Sequence, residues 1–328
     1  MNPVQFFKHE DPSLILQYLS HHLPATIAIF HRIQSPQNAP ERHACLFASF
    51  PPNSSLTELD LPVTVSFVDR SRHNEAQLAI FNSLCLQVKR PEDLSKESYQ
   101  LLSDHLRQLL KAIKDIGDSF ATADIKPLNY PFSSTLRSTA LHEVIATVLV
   151  NNLGQSKVYH YLWDQWLFST ATVKDLILSR RLPEGYELGK VPPEQIDLVV
   201  STSKVKRQAT TLLSNPNSAI LFTNKKTKQK EAVAWAHLTV DKSLSTLYVL
   251  PEHRGKGLAK MVAGSLIRDL CDGTLDSEKT QSDWCIAQVA ADNVESQAVC
   301  KSLGAELDVR TATVGIELDS FVDDNWRI

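Results

Sequence analysis

Apolar runs along this chain are short, and their spacing switches between a period near two and one near 3.6, the pattern of strands and helices in alternation. In the first half, residues 14–21 read as a helix that stops before Leu23-Pro24, and residues 27–33, 44–50 and 63–69 read as strands. Residues 98–116 carry a long amphipathic helical pattern, residues 136–149 a second one, and the aromatic run 159–166 reads as strand. After the turn Pro183-Glu184-Gly185 come a short strand over 186–191 and a helical stretch over 193–214, ended by the breaker Asn215-Pro216-Asn217. Strands follow at 218–223, 233–240 and 244–250. A helix over 258–271 places apolar residues at 258, 261, 262, 266 and 270, the one-face spacing of a helix on a sheet. A strand at 284–290, a helix at 294–302 and a last strand at 313–318 complete the pattern. This order predicts an α/β protein in two successive halves, with a seam near residue 180, where Arg180-Arg181-Leu182-Pro183-Glu184-Gly185 gathers breakers.

Composition narrows the classes. The 328 residues leave room for two domains of ordinary size, and 43% apolar with 22% charged residues is a globular balance. A net charge of −3 offers no basic footprint for nucleic acid. The dense patch Lys225-Lys226-Thr227-Lys228-Gln229-Lys230 reads as a solvated hairpin tip. Cysteines 45, 85, 271, 285 and 300 are scattered and form no C-x-x-C pair, which argues against a disulfide framework and against a zinc site. No run reaches the ~18 apolar residues of a membrane span. The first residues resemble neither a signal peptide nor a transit sequence, so a cytoplasmic protein with no membrane partner is expected.

The candidate chemistry lies between 244 and 271. The run Leu247, Tyr248, Val249, Leu250 is stopped by Pro251, and Arg254-Gly255-Lys256-Gly257 leads at once into the helix that starts with Leu258 and Ala259. Strand, glycine turn and helix in that order make an anion cradle. Glycines let backbone N–H groups close on a phosphate, the helix start adds unpaired amides, and Arg254 and Lys256 bring cations. A P-loop is excluded, because no Lys-Ser/Thr follows the second glycine. The dinucleotide fingerprint is excluded as well, since it needs three glycines after the first strand of a βαβ unit.

What remains, Val249-x-Pro251-x-x-Arg254-Gly255-x-Gly257-x-Ala259, resembles the pyrophosphate-binding motif of the GNAT superfamily, the acyl-CoA-dependent N-acyltransferases. A second segment supports the likeness. The strand pattern Trp284-Cys285-Ile286-Ala287-Gln288-Val289 is followed by Asp292-Asn293 and by a short helix through Ser296 and Cys300 that stops at Gly304. The resemblance implies that acetyl-CoA or another acyl-CoA is the cosubstrate and that no metal is needed. Its contacts would be Tyr248, Val249, Leu250, Arg254, Gly255, Lys256, Gly257, Leu258 and Ala259, with Asn293 and Ser296 lining the channel. In that fold two strands splay apart, and the pantetheine arm lies between them. Leu23-Pro24-Ala25-Thr26, Phe50-Pro51-Pro52, Ile196-Asp197-Leu198-Val199-Val200 and Val233-Ala234-Trp235 look like the glycine N-acyltransferase-like branch. The likeness implies a GNAT fold with a mixed sheet, helices on both faces and two tandem GNAT-like halves. Residues 1–178 would be a degenerate copy and residues 179–328 the catalytic domain, acting on a small-molecule amine or an amino acid.

Attack on a thioester needs a neutral amine, a donor for the developing oxyanion and a proton for the leaving thiolate. The resemblance gives the oxyanion to a backbone N–H near Val249. Enzymes of the branch carry a glutamate on the strand before Pro251, but this chain has Ser243, Leu244, Ser245 and Thr246 there. The candidates for the base are therefore His237, on the preceding strand, or a water relay through Ser245 or Thr246. Asp292 reads rather as a helix-start carboxylate, and His253 as an exposed turn residue. Cys300 stands where many superfamily members have the tyrosine acid, though a small buried hydrophobe is the ordinary role of a helix cysteine. Two readings stay open: an active N-acyltransferase, and an acyl-CoA-binding or regulatory protein on the same scaffold.

Overall fold

The computed structural model describes residues 4–38, 41–72, 75–154, 158–205, 207–223, 229–275, 280–319, 321 and 326. By compactness the chain divides into Met1–Asp164 with Val309–Ile328, and Gln165–Asp308. This boundary differs from the expected 1–178 and 179–328. The end of the chain belongs to the first unit because its last strand is hydrogen-bonded there.

The first half contributes β1 (Phe7–His9), α1 (Ser13–Ser20), α2 (Ile27–Ile33), β2 (Ala44–Ala48), β3 (Thr64–Asp69), β4 (Leu78–Asn82), α3 (Lys96–Ser119), β5 (Thr135–His142), α4 (Glu143–Leu153) and β6 (Val158–Ser169). After α5 (Thr170–Leu178) the second half repeats that order. It consists of β7 (Tyr186–Gly189), α6 (Ile196–Thr202), α7 (Ala209–Ser214), β8 (Asn217–Thr223), β9 (Lys230–Leu238), β10 (Leu244–Val249), α8 (Leu258–Cys271), β11 (Trp284–Val289), α9 (Val294–Ser302) and β12 (Glu306–Glu317).

In the first unit β1 to β4 form an antiparallel meander, and β4 joins β5 in parallel through the single pair Leu78↔Ser138. β12 then runs antiparallel to β5, from Thr311↔His142 to Glu317↔Thr135. In the second unit β7 to β10 form the same antiparallel meander. β10 meets β11 only at the parallel bridge Ser243↔Ile286.

Three expectations are corrected. Residues 27–33 form helix α2, not a strand. The β-branched run has strand propensity, but Ile27 is buried and Ile29 and Ile33 pack in one core with Ile15 and Phe67, and tertiary packing overrides a weak local preference. Residues 136–149 are not one helix. The first part is strand β5, where Leu136, Ser138 and Leu141 are buried and Ala140 has a left-handed φ of 57° at a register shift. The helix starts only at Glu143, where the His142 ring nitrogen accepts from the Val144 N–H. The helical stretch over 193–214 is broken into a 3₁₀ turn, α6 and α7, with a charged connection between the helices. The expected hairpin tip at Lys225–Lys228 lies outside the described residues.

The second unit's core positions the site. α8 buries Leu258, Met261, Val262, Leu266, Ile267 and Leu270 against Ala234, Ala236 and Leu238 of β9. Each large aliphatic contributes about 1.5–3 kcal/mol relative to exposure. At Gly264 a Cβ would come within 2.4 Å of the Ile177 side chain, so the absent side chain lets α5 lie close against α8. On the opposite face of the sheet Trp235 packs with Val199 of α6, Leu212 of α7 and Ala219 of β8.

Candidate active site

β10 and β11 separate after their one bridge. At the closed end Ile286 N–H meets the Lys242 carbonyl at 3.5 Å, and Ser243 Oγ donates to Gln288 Oε1 at 3.1 Å. Gln288 Nε2 donates to Gln165 Oε1 at 3.4 Å, and Gln165 Nε2 donates to Asp308 Oδ2 at 3.1 Å. This polar row ties off the apex of a wedge that opens toward the C-terminal ends of both strands.

A bulge shapes the β10 side. Ser245 is opposite His237 and Tyr248 is opposite Trp235, so Thr246 and Leu247 share the one position opposite Ala236. Thr246 takes a left-handed φ of 53° there. Beyond the bulge, the Leu250 N–H donates to the Val233 carbonyl at 2.9 Å, and Val249 lies opposite Ala234. Bonded and non-bonded pairs alternate along an antiparallel ladder, so the Val249 N–H points to the other edge of the strand, into the wedge. The Val249 carbonyl accepts from Arg254 Nε at 3.1 Å, and the guanidinium lies over the Tyr248 ring at 5.5 Å.

The turn after β10 is an open cradle. Gly255 and Gly257 have φ of 77° and 74°, the left-handed region that side chains avoid, and a Cβ at either would meet nothing within 4 Å. Gly257 is the N-cap of α8 and offers no side chain, so no cap bond occupies the first-turn amides, and no acidic residue stands in that turn. The residues thus fit an anionic group: free amides, a helix dipole and open space on one spot. Lys256 Nζ is turned back onto the Glu252 carbonyl at 2.9 Å. Lys260 Nζ bonds the Ser302 carbonyl, and burial together with nearby Arg180 holds its pKa below the usual lysine range. His253 anchors the turn, its Nδ1 paired with the Tyr186 hydroxyl at 2.8 Å. Across the wedge the Asn293 side chain accepts from the Ser296 N–H at 3.2 Å and caps α9.

The candidates for proton transfer are placed differently. His237 is fully buried, neither ring nitrogen has a partner, and burial with the field of Arg207 pushes its pKa down to about 4. An imidazole that binds a proton so weakly is a poor base at neutral pH. Ser245 lies beside it across the strand pair. Cys300 is 3% exposed in the core with Val289 and Leu303, and burial pushes its thiol up to about 12. The cradle residues and β10 are therefore gathered at the wedge, whereas Cys300 belongs to the core under α9. The row Ser243–Gln288–Gln165–Asp308 had no signal in the sequence, since its members come from separate strands with no motif spacing. Among the described residues no group of three His, Cys, Asp or Glu could hold a metal ion, and no helix is long and apolar enough to cross a membrane.

Residues 3–176 match the profile of the acyl-CoA N-acyltransferase verG N-terminal domain, and residues 222–314 match that of FR47-like proteins. No curated protein sequence matches the chain. Among solved structures, a Drosophila protein from a structural genomics consortium superposes with a TM-score of 0.58 at 13% identity, covering 95% of this chain and 98% of that one. A GCN5-related N-acetyltransferase from Kribbella flavida gives 0.46 at 13% identity over 89% and 93% of the two chains. A tandem GNAT protein from the clavulanic acid biosynthesis pathway gives 0.45 at 13% identity over 95% and 98%. The chain thus shares its fold with the Drosophila protein over nearly the whole of both chains.

Proposed function

The chain belongs to the GNAT superfamily of acyl-CoA N-acyltransferases, in a tandem form, and we propose that its second half transfers an acyl group, acetyl first among them, from acyl-CoA to the amine of a small molecule or amino acid. The observation that carries this reading is the cradle of Gly255, Lys256, Gly257, Leu258 and Ala259, set at the open end of the β10–β11 wedge. When bound, the cosubstrate supplies an activated thioester. The amides from Gly255 to Ala259 would hold its pyrophosphate, and the Val249 N–H would donate to the carbonyl oxygen as negative charge develops there. Asn293 and Ser296 would line the far wall.

β10 carries no carboxylate, and His237 binds a proton too weakly. The acceptor would therefore arrive neutral, attack directly and lose its proton to water. An ammonium has no lone pair, so the acidic limb of kcat/KM should follow the pKa of the amine itself, about 8 for a peptide's terminal α-amino group and higher for a free amino acid or an alkylamine, which lack the electron-withdrawing amide. A thiol-release assay with acetyl-, butyryl- and benzoyl-CoA against a panel of amines of different pKa tests both claims. The expected result is thiol release with a limb that moves with the amine. A limb fixed near pH 6–7 for every amine would return the proton to a histidine.

The second reading, an acyl-CoA-binding protein without turnover, is favoured by one observation: the positions of the expected base and acid are occupied by Ser245 and by the core thiol Cys300. Acyl-CoA binding with no thiol release for any amine would establish it.

A further inference from the structure

Buried polar atoms without a hydrogen-bond partner are rare in folded proteins, because each has given up water and gained nothing. In the second unit, Trp166 Nε1 apart, they gather around one end of β9. Trp235 Nε1, both ring nitrogens of His237, Thr246 Oγ1 and Asn215 Oδ1 are buried without partners. Trp235 and His237 are two residues apart on β9 and so share a face, the one on which Trp235 packs under α6 and α7. Asn217 is opposite His237 and the Leu238 N–H bonds the Pro216 carbonyl, so Asn215, the C-cap of α7, runs alongside the same end of β9. Thr246 sits in the bulge next to Ser245, the residue opposite His237. The cluster therefore borders the part of β10 that lines the wedge.

These atoms offer an indole donor, a hydroxyl, an amide oxygen and an imidazole that donates at one nitrogen and accepts at the other. A ligand hydroxyl both donates and accepts, so it can satisfy such a mixed set, whereas a carboxylate can only accept. Residues 232–238 of β9 and all of β10 carry no charged side chain, and the charge whose field reaches His237 is that of Arg207, in the connection between α6 and α7. We propose that His237, with Trp235 and Asn215, is the specificity-determining group for the acyl acceptor, and that this acceptor is a hydroxyl-bearing primary amine. The inference rests on the acyl-transfer reading. It gives His237 a hydrogen-bonding role in place of proton transfer, and burial that keeps the ring neutral at physiological pH is consistent with that role.

The test is His237→Leu in the full chain, with Trp235→Phe as a second variant that removes only the indole N–H. Acetyl-CoA is the donor, and 2-amino-1,3-propanediol, glycine and n-propylamine are the acceptors. If the imidazole is held unsatisfied for a ligand, its replacement by an apolar side chain should raise Tm by about 2–4 °C. It should also raise KM for the aminodiol about 10- to 100-fold, with n-propylamine and the CoA dissociation constant little changed. Wild-type enzyme should favour the aminodiol over glycine at least about tenfold in kcat/KM. A fall in Tm with unchanged aminodiol KM would overturn the proposal, as would a preference for glycine. If wild-type protein releases no thiol with any amine, the acyl-transfer reading fails separately. Ligand-observed NMR of the aminodiol on CoA-loaded protein then decides the pocket, and no binding, or equal binding by His237→Leu, would refute it.

Discussion

The two halves repeat one order of elements, yet they end their central strands differently. In the first half β4 leads through Asn82 to Ser95, whose hydroxyl accepts from the Ser98 N–H at 3.1 Å, and Glu97 stands in the first turn of α3. In the second half β10 leads to Gly257, which has no side chain to cap α8, and no acid follows. Both helices have the same positive end. In α3 a hydroxyl and a carboxylate already engage it, whereas in α8 it is left to whatever anion arrives. The strand pairs are alike, each parallel and joined once, at Leu78↔Ser138 and at Ser243↔Ile286. A wedge is thus a property of the fold, and anion binding a property of a few residues at its mouth.

The largest expected difference between the halves is in acid. Buried His43 and His105 and half-buried His142 in the first unit, and buried His237 in the second, have pKa values pushed from 6.5 to about 4 by desolvation. A group whose folded pKa is depressed is more protonated in the unfolded chain throughout that window. Its contribution to stability is therefore present above the unfolded value and lost as pH falls from 6.5 toward 4. The loss approaches ~3 kcal/mol per histidine at full protonation of the unfolded state. With three such groups against one, the first unit should open first. Brief pepsin digestion at pH 4.5 with fragments mapped by mass should cut within residues 4–153 before the second unit, and simultaneous cutting would break the comparison.

A smaller effect separates the two capped helices. Ser95→Ala and Asn293→Ala should each lower stability by about 1 kcal/mol, measured by urea denaturation. Only Asn293→Ala, at the wedge, should also weaken CoA binding. A matching loss from Ser95→Ala would mean that the first half holds the cosubstrate as well.

Much of the second half was legible from local chemistry. The breaks at Pro251 and at the glycines fixed the cradle, the one-face apolar spacing gave α8 its observed bounds, and the Asp292-Asn293 pair and Gly304 framed α9. The first half resisted, because its signals conflict with its packing. The run 27–33 has strand composition, but buries its isoleucines as a helix against β3. The run 135–142 alternates, but its buried positions include Ser138 and its left-handed residue is Ala140 rather than a glycine. The division between the units was hidden for a different reason: the partner of β12 is β5, more than 160 residues earlier by the pairing of Thr311 with His142, and no local pattern encodes such a pairing. In the site, the face of His237 followed from strand alternation, but the cover of that face, where Trp235 packs with Val199 of α6 and Leu212 of α7, comes from two helices that the sequence had joined into one.

Titration calorimetry of the full chain with CoA tests the central claim most directly. The account predicts one CoA per chain, and a loss of affinity of about 100-fold, ~2.7 kcal/mol, in a correctly folded Gly257→Val variant. There a β-branched side chain is forced into a left-handed φ of 74° and its Cβ enters the open cradle. Two CoA per chain, or undiminished binding by that variant, would contradict it.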